Sequence, residues 1–250
     1  IMKLSKDKIN LIKKHYDLNG YIVVRGLFDK ETILSAEKYL WTYIEDNIKN
    51  FDKKEVNFTK NGDINSIHNF SKWPWVKKLR DNKNLKKIVN KLIGNQAKNF
   101  GAELFAKPAK SGMPAPMHQD NYYWCIDNAC ALTVWISFGA SNKKNGGIYY
   151  LKKTHKFGIL EHKRSYAPGS SQTLKYQENL KSFKKIYPNL QAGDCVIHHC
   201  LSVHGSEKNN SNIPRVGCTL RYIGKNSKID SIMKMKYEKD LKKHYKKIMR

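Results

Sequence analysis

The sequence is short of several things, and each shortage removes a class of structure. Its five cysteines (Cys125, Cys130, Cys195, Cys200 and Cys218) are odd in number, with no CxxC pair. That pattern argues against a disulfide-stapled domain and for a reducing, cytoplasmic setting. No apolar run approaches the roughly 20 residues that a membrane helix needs. The first residues do not read as a secretory leader. With 15 Gly and 7 Pro in 250 residues, collagen-like and proline-rich architectures are excluded. GxSxG, P-loop and GxGxxG motifs are absent, so no nucleophile elbow or phosphate-cradling loop competes. Acidic residues are scarce: 21 against 47 Lys+Arg gives +26. Arginine is scarce too, at six, leaving 41 lysines spread along the chain. Specific phosphate and base recognition favours the planar arginine fork. A solvated lysine-rich surface therefore explains the charge better than a nucleic-acid or membrane partner.

What is present is enough to build a core, at 40% hydrophobic and 11% aromatic residues. The chain reads as a single domain over 1–250: a helical part to about 95, a β-rich body over 96–224, and a basic tail over 225–250. Residues 5–17 carry apolar positions at helical spacing, and Asn19-Gly20 stops that helix before the strand-like Tyr21-Ile22-Val23-Val24. Asp29 caps a helix running to about Asn47. Residues 50–72 are polar and aperiodic, which predicts a long loop of the kind that forms lids. Residues 75–93 read as helix. Beyond them, strand-like runs at 100–107, 117–124, 130–138, 147–151, 195–199 and 216–223 alternate with turn residues. This predicts an antiparallel sandwich or barrel. The tail, with Ile232, Met235, Tyr237 and Leu241, is either an amphipathic helix on the body or loosely held.

His118-Gln119-Asp120 carries the chemistry. On a strand, residues i and i+2 face the same way, so His118 and Asp120 can grip one metal ion. His204, in Val203-His204-Gly205-Ser206, is the best third ligand. Two His and one carboxylate form the facial set that leaves positions open on Fe(II) for an oxo-acid and then O2. Arg215 follows His204 by 11 residues. A strand over 215–223 puts Arg215, Gly217, Thr219 and Arg221 on one face. A guanidinium inside a sheet sandwich is costly unless a carboxylate meets it, and the distal carboxylate of 2-oxoglutarate would do so. Arg221 stands about 20 Å further along and cannot serve the same ligand. The set Cys195, His198, His199, Cys200 and His204 fits no structural zinc spacing. His199 is expected to support the site through a hydrogen bond.

These residues, in this order, resemble the phytanoyl-CoA dioxygenase family of Fe(II)/2-oxoglutarate-dependent oxygenases. The resemblance also runs through Asn19 to Phe28, Lys107-Pro108, Trp135, Asn145-Gly146-Gly147, Thr154-His155-Lys156 and Gly193-Asp194. It implies a mainly β fold with flanking helices, a double-stranded β-helix (jelly roll, cupin-like). It implies iron held by His118, Asp120 and His204, with 2-oxoglutarate and O2 as cosubstrates. Arg215 and Ser206 would bind the distal carboxylate, with Trp135 and Lys107 beside it. Tyr122, Tyr123 and Trp124 fall where relatives place substrate-facing aromatics. The implied reaction is hydroxylation of a small-molecule metabolite, with release of succinate and CO2. Alternatives are a non-catalytic metal-binding jelly roll and an oxygenase acting on nucleic acid. The chain departs from the family in two loops: Phe138-Gly139-Ala140-Ser141 has no acidic residue, and Lys152-Lys153 replaces Pro-Gly. No CoA-binding signature is evident.

Overall fold

The computed structural model describes residues 4–248 apart from Asn95 and Pro168; the side chains of residues 244–248 also lie outside the description. Helix α1 (Lys6–Asn19) starts where Ser5 accepts a hydrogen bond from the Lys8 amide. It ends at Gly20, whose φ of 82° belongs to the left-handed region that glycine enters freely. Strand β1 (Tyr21–Val24) follows, then α2 (Lys30–Asn47), capped by Asp29 on the Thr32 amide. The buried residues of α2 are Ile33, Ala36, Leu40 and Ile44, an i, i+3, i+7, i+11 stripe that faces the core.

Residues 50–72 are not one loop. They contain a hairpin, β2 (Val56–Phe58) and β3 (Ile64–Ile67), whose second strand pairs with the main sheet. Its strands are too short for a period of two to show in the sequence. The helix expected over 75–93 is two helices, α3 (Pro74–Arg80) and α4 (Lys83–Ile93). Asn82 interrupts them because its carboxamide caps α4, accepting from the Asn84 and Leu85 amides.

The β body comprises β4 (Lys98–Lys107), β5 (Ala115–His118), β6 (Ala131–Ser137), β7 (Ile148–Leu151), β8 (His162–Ala167), β9 (Ser170–Leu174), β10 (Lys185–Ile186), β11 (Cys195–His199), β12 (His204–Ser206) and β13 (Arg215–Ile223). A single helical turn, α5 (Asn121–Trp124), leaves β5, and α6 (Ser231–Ile248) closes the chain. The large sheet has the order β1-β11-β6-β13-β4-β3-β2, and the small one β10-β7-β12-β5. All of the pairing within both is antiparallel. They form a jelly roll with flanking helices, not a closed barrel.

Strand parity divides the large sheet into two environments. Leu132, Val134, Ile136, Ile197, Cys218 and Leu220 pack with Ile33, Leu40, Trp73 and Ile88 of the helices. That face is the main apolar core. The opposite face carries Thr133, Trp135, Ser137, His198, Arg215 and Thr219, all buried. Trp135 and Val196 there meet Tyr150 of the small sheet. A polar interior thus lies between the sheets, fixed by β-strands on both sides. The tail is helical from Ser231, and Tyr237 packs edge-on against Tyr122 and Tyr123. Tyr245 and Ile248 of that tail lie outside the described side chains.

Candidate metal centre

His118 and His204 are direct cross-strand partners in the β5–β12 pairing. Directly opposed residues point the same way with Cβ atoms about 4.5–5.5 Å apart. Their rings accordingly lie 4.3 Å apart, centroid to centroid. Asp120 arrives differently from the expectation. Strand β5 stops at His118, and Asp120 has helical dihedrals (φ −58°, ψ −37°) at the start of α5. The turn, not strand alternation, swings its carboxylate back toward the histidines. Asp120 Oδ1 lies 3.6 Å from His118 Nε2 and 3.5 Å from His204 Nε2. One ligand atom from each of the three residues falls within 4.8 Å of the others.

The protonation states suit a metal. His118 Nδ1 bonds the Pro116 carbonyl at 2.8 Å, and His204 Nδ1 bonds the Ser202 carbonyl at 3.0 Å. A carbonyl only accepts, so each Nδ1 carries a proton, and Nε2 is the nitrogen turned to the cluster. Burial, with His118 beside it, pushes the His204 pKa well below the ordinary imidazole value. Burial works to raise the Asp120 pKa, but the surrounding imidazoles, His204 first, outweigh it and hold the carboxyl well below its usual range. The set is two imidazoles and one carboxylate, a donor set that fits a divalent ion such as Fe(II).

The second oxygen of Asp120 is tied down separately. Thr133 donates to Oδ2 at 2.6 Å, and His198 Nε2 sits 3.0 Å from it. His198 Nδ1 meets the Tyr150 hydroxyl at 3.0 Å. The supporting histidine is therefore His198, not His199. His199 points to the other face of β11, where its ring lies near Tyr16 and His155. Strand alternation carried the signal for this: His198 pairs across β11–β6 with Thr133, on the Trp135 side.

Arg215 pairs directly with Lys107 across β13–β4, and both are 3% exposed. Its Nε and Nη1 are buried and have no hydrogen-bond partner among the described residues. Burial lowers its pKa to about 10. Its guanidinium lies 5.3 Å from the Trp135 ring, whose Nε1 also lacks a partner. Gly217 makes that placement possible: a Cβ there would sit 2.2 Å from the tryptophan ring. Lys107 donates to Ser206 Oγ at 2.7 Å and to the Glu207 carbonyl. The Ser206 hydroxyl is thus engaged by Lys107. Burial and then the Arg215 charge push Lys107 down to about 6. The Arg215 guanidinium and the Trp135 N–H leave a chamber with unpaired donors among the described residues, beside the engaged Lys107. Unsatisfied buried donors cost about 1–3 kcal/mol each, and a carboxylate would satisfy several at once.

The expected aromatic trio lies on α5, so its members fan out round a helix instead of alternating. Tyr122 stacks on His162 at 4.1 Å, and Tyr123 stands edge-on to His118 at 5.7 Å. Trp124 stands edge-on to Phe100 at 5.0 Å. Gln119 is a latch: its carboxamide bonds the Gly158 and Leu201 carbonyls and the Leu160 amide. Other motif residues also serve the scaffold. Asp194 accepts from the Gly26 and Gln191 amides and Arg25, and Thr154 ties β7 to the β12 approach.

Known proteins resemble this chain in sequence and fold. The phytanoyl-CoA dioxygenase (PhyH) family pattern covers residues 16–217. A probable phytanoyl-CoA dioxygenase of Caenorhabditis elegans is 24% identical over 84% of this chain and 73% of its own length. A 1-deoxypentalenic acid 11-beta-hydroxylase of Streptomyces exfoliatus is 24% identical over 83% of this chain and 77% of its own. Among solved structures, EctD from S. alaskensis with bound Fe superposes with a TM-score of 0.74 at 18% identity, over 91% of this chain and 79% of that one. The α-ketoglutarate-dependent carbocyclase SnoK gives 0.72 at 18% identity, over 91% and 87%.

Proposed function

The chain belongs to the phytanoyl-CoA dioxygenase family of Fe(II)- and 2-oxoglutarate-dependent oxygenases, and from that premise we propose that it hydroxylates a small-molecule metabolite, releasing succinate and CO2. The observation that carries this reading is Arg215: a buried guanidinium with free donors, placed between the same sheets as the His118, Asp120 and His204 cluster. A bare metal-binding jelly roll has no use for it.

His118 and His204 would offer their Nε2 lone pairs, and Asp120 its Oδ1. Thr133 and His198 hold the other Asp120 oxygen, which keeps the carboxylate from rotating and favours one-oxygen ligation. Bound there, iron and 2-oxoglutarate supply the oxidising power that places one atom of O2 into a substrate C–H bond. Arg215 would grip the distal carboxylate of the cosubstrate in a two-pronged contact. Trp135, seated over Gly217, walls that end of the chamber and turns its N–H into it. Lys107, neutral or protonated, adds a donor from the neighbouring strand. The two sheets that flank the cluster would limit the access of water to the reacting groups. Asp120 fills the position that a halide would need, so hydroxylation is favoured over halogenation.

The test is 2-oxoglutarate decarboxylation under Fe(II), scored for stimulation across a panel of metabolites. A stimulating compound should leave oxidised, with one succinate per turnover. His118→Ala should abolish the stimulated rate while the protein stays folded. Succinate release unchanged in His118→Ala would overturn the metal assignment.

A further inference from the structure

At the other end of β13 from Arg215 stands a second polar cluster that neither the iron nor 2-oxoglutarate uses. Arg221 shares the interior-facing side of the strand with Arg215 but pairs with Thr133. Thr133 is the residue bonded to Asp120, so Arg221 lies one strand away from the metal carboxylate. Its Nη1 makes an ion pair with Glu103 Oε1 at 3.6 Å, longer than a hydrogen bond, and its Nε is buried without a hydrogen-bond partner among the described residues. Gly101 leaves room for the guanidinium, since a Cβ there would come within 2.1 Å of Nη2. His68 meets the same Glu103 oxygen at 2.7 Å. Burial works to raise the Glu103 pKa, but Arg221 and His68 flank the carboxyl and hold it down, and the unpartnered atom of the cluster among the described residues is a donor, Arg221 Nε.

A second orphan lies on β9, in the two-stranded β8–β9 sheet. Gln172 of β9 is fully buried, yet neither its carboxamide oxygen nor its nitrogen has a partner among the described residues. It sits two residues from Ser170, on the same strand face. The Ser170 hydroxyl is 3.2 Å from the Tyr123 hydroxyl, and Tyr123 is the ring edge-on to His118. The β8–β9 tip then crosses to the β2–β3 hairpin: a Cβ on Gly169 would lie 2.9 Å from Ser66 Oγ. On the remaining side, Arg221 lies over Phe100 at 5.3 Å and Phe100 meets Trp124, which completes the circuit to Tyr123. These contacts form a circuit that passes His118 through Tyr123 and Asp120 through Thr133, apolar at Phe100 and Trp124 and with a free donor at Arg221.

We propose that Arg221 and Gln172 form the anchor for the primary substrate, and that this substrate is a small organic acid whose carboxylate meets them while its apolar body lies along Phe100 and Trp124. The inference rests on the oxygenase reading above and supplies its substrate class. A carboxylate satisfies the Arg221 fork and a Gln172 N–H together, which water or a neutral ketone does not. Glu103 and His68 are positioning residues that hold Arg221 in place.

The experiment uses the full-length Fe(II) protein saturated with 2-oxoglutarate, without O2. Acetate, benzoate and phenylacetate are titrated at millimolar concentrations, each against its own primary amide. The expected result is that acids bind and matched amides do not. Arg221→Gln and Gln172→Leu should each weaken the best acid about tenfold or more, the scale of one charge-assisted bond. Both variants should bind 2-oxoglutarate as wild type does. Gln172→Leu removes an unpartnered amide and should keep its melting temperature, so loss of acid binding there is not a folding defect. Equal binding of acids and amides would overturn the anchor. So would unchanged acid affinity in Arg221→Gln, or no acid binding while 2-oxoglutarate binds. A wild-type protein that fails to take up 2-oxoglutarate would overturn the oxygenase reading first, and the anchor with it.

Discussion

Replacing Arg215 by lysine separates a cosubstrate anchor from a structural ion pair. Arg215 is 3% exposed, and two of its nitrogens have no hydrogen-bond partner among the described residues. The protein therefore carries its desolvation cost without recovering it internally. A dicarboxylate arriving from the metal side would recover it through two parallel N–H donors. Lysine keeps the charge but presents a point donor on a different stem. It loses at least one charge-assisted bond, worth about 1.5–3 kcal/mol. At 1.4 kcal/mol per decade, 2-oxoglutarate should bind about 10- to 100-fold more weakly. Iron affinity should hardly change, because the proposed ligands lie elsewhere, His118 on β5, Asp120 just before α5 and His204 on β12. Stability should not fall by the roughly 3–5 kcal/mol that breaking a buried pair costs, since no protein carboxylate is paired with Arg215 among the described residues. Anaerobic titration of 2-oxoglutarate into wild-type and Arg215→Lys Fe(II) protein, with a melting curve of each, measures all three quantities. Equal cosubstrate affinity, or a large loss of stability, would refute the reasoning and make Arg215 a structural residue.

Other perturbations probe the same chamber. Lys107, held at about 6 by burial and Arg215, is neutral at pH 8 before the cosubstrate binds. A carboxylate nearby raises its pKa, so binding at pH 8 should take up a proton, and affinity should rise as pH falls toward 6 and level off below it. Calorimetry in buffers of different ionisation enthalpy reads the proton count, and no uptake would remove Lys107 from the cosubstrate's surroundings. Gly217→Ala puts a methyl group 2.2 Å from the Trp135 ring. Overpacking of that kind costs about 1–3 kcal/mol and should lower both the melting temperature and 2-oxoglutarate affinity. His198→Phe frees Asp120 Oδ2 from one of its two restraints, so metal affinity should fall by about tenfold or more, and unchanged affinity would leave Thr133 as the sole restraint.

What the sequence made legible, and what it did not, follows from how far each signal reaches along the chain. His118 and Asp120 are two residues apart, and His204 and Arg215 open the chain's last two strands, so motif and order were enough to single out the three residues that the structure brings together and the buried arginine near them. Parity within one strand is equally local, and it sorted Arg215, Gly217, Thr219 and Arg221 correctly onto one face of β13. Parity does not say which face meets the site until the neighbouring strand is known. That is why the histidine beside Asp120 is His198 and not the adjacent His199: only the pairing of His198 with Thr133 decides it. The break after His118 was missed because Tyr122, Tyr123 and Trp124 are as apt in strands as in a helical turn. The Glu103, His68 and Arg221 cluster was hidden for a stronger reason. Its members are 35 and 118 positions apart and meet only because β13 and β3 both flank β4. Each alone reads as a surface charge. Polar residues joined by sheet order in this way have no local signature, and substrate selection in a shared fold has to be sought there, since the metal ligands are common to many chemistries.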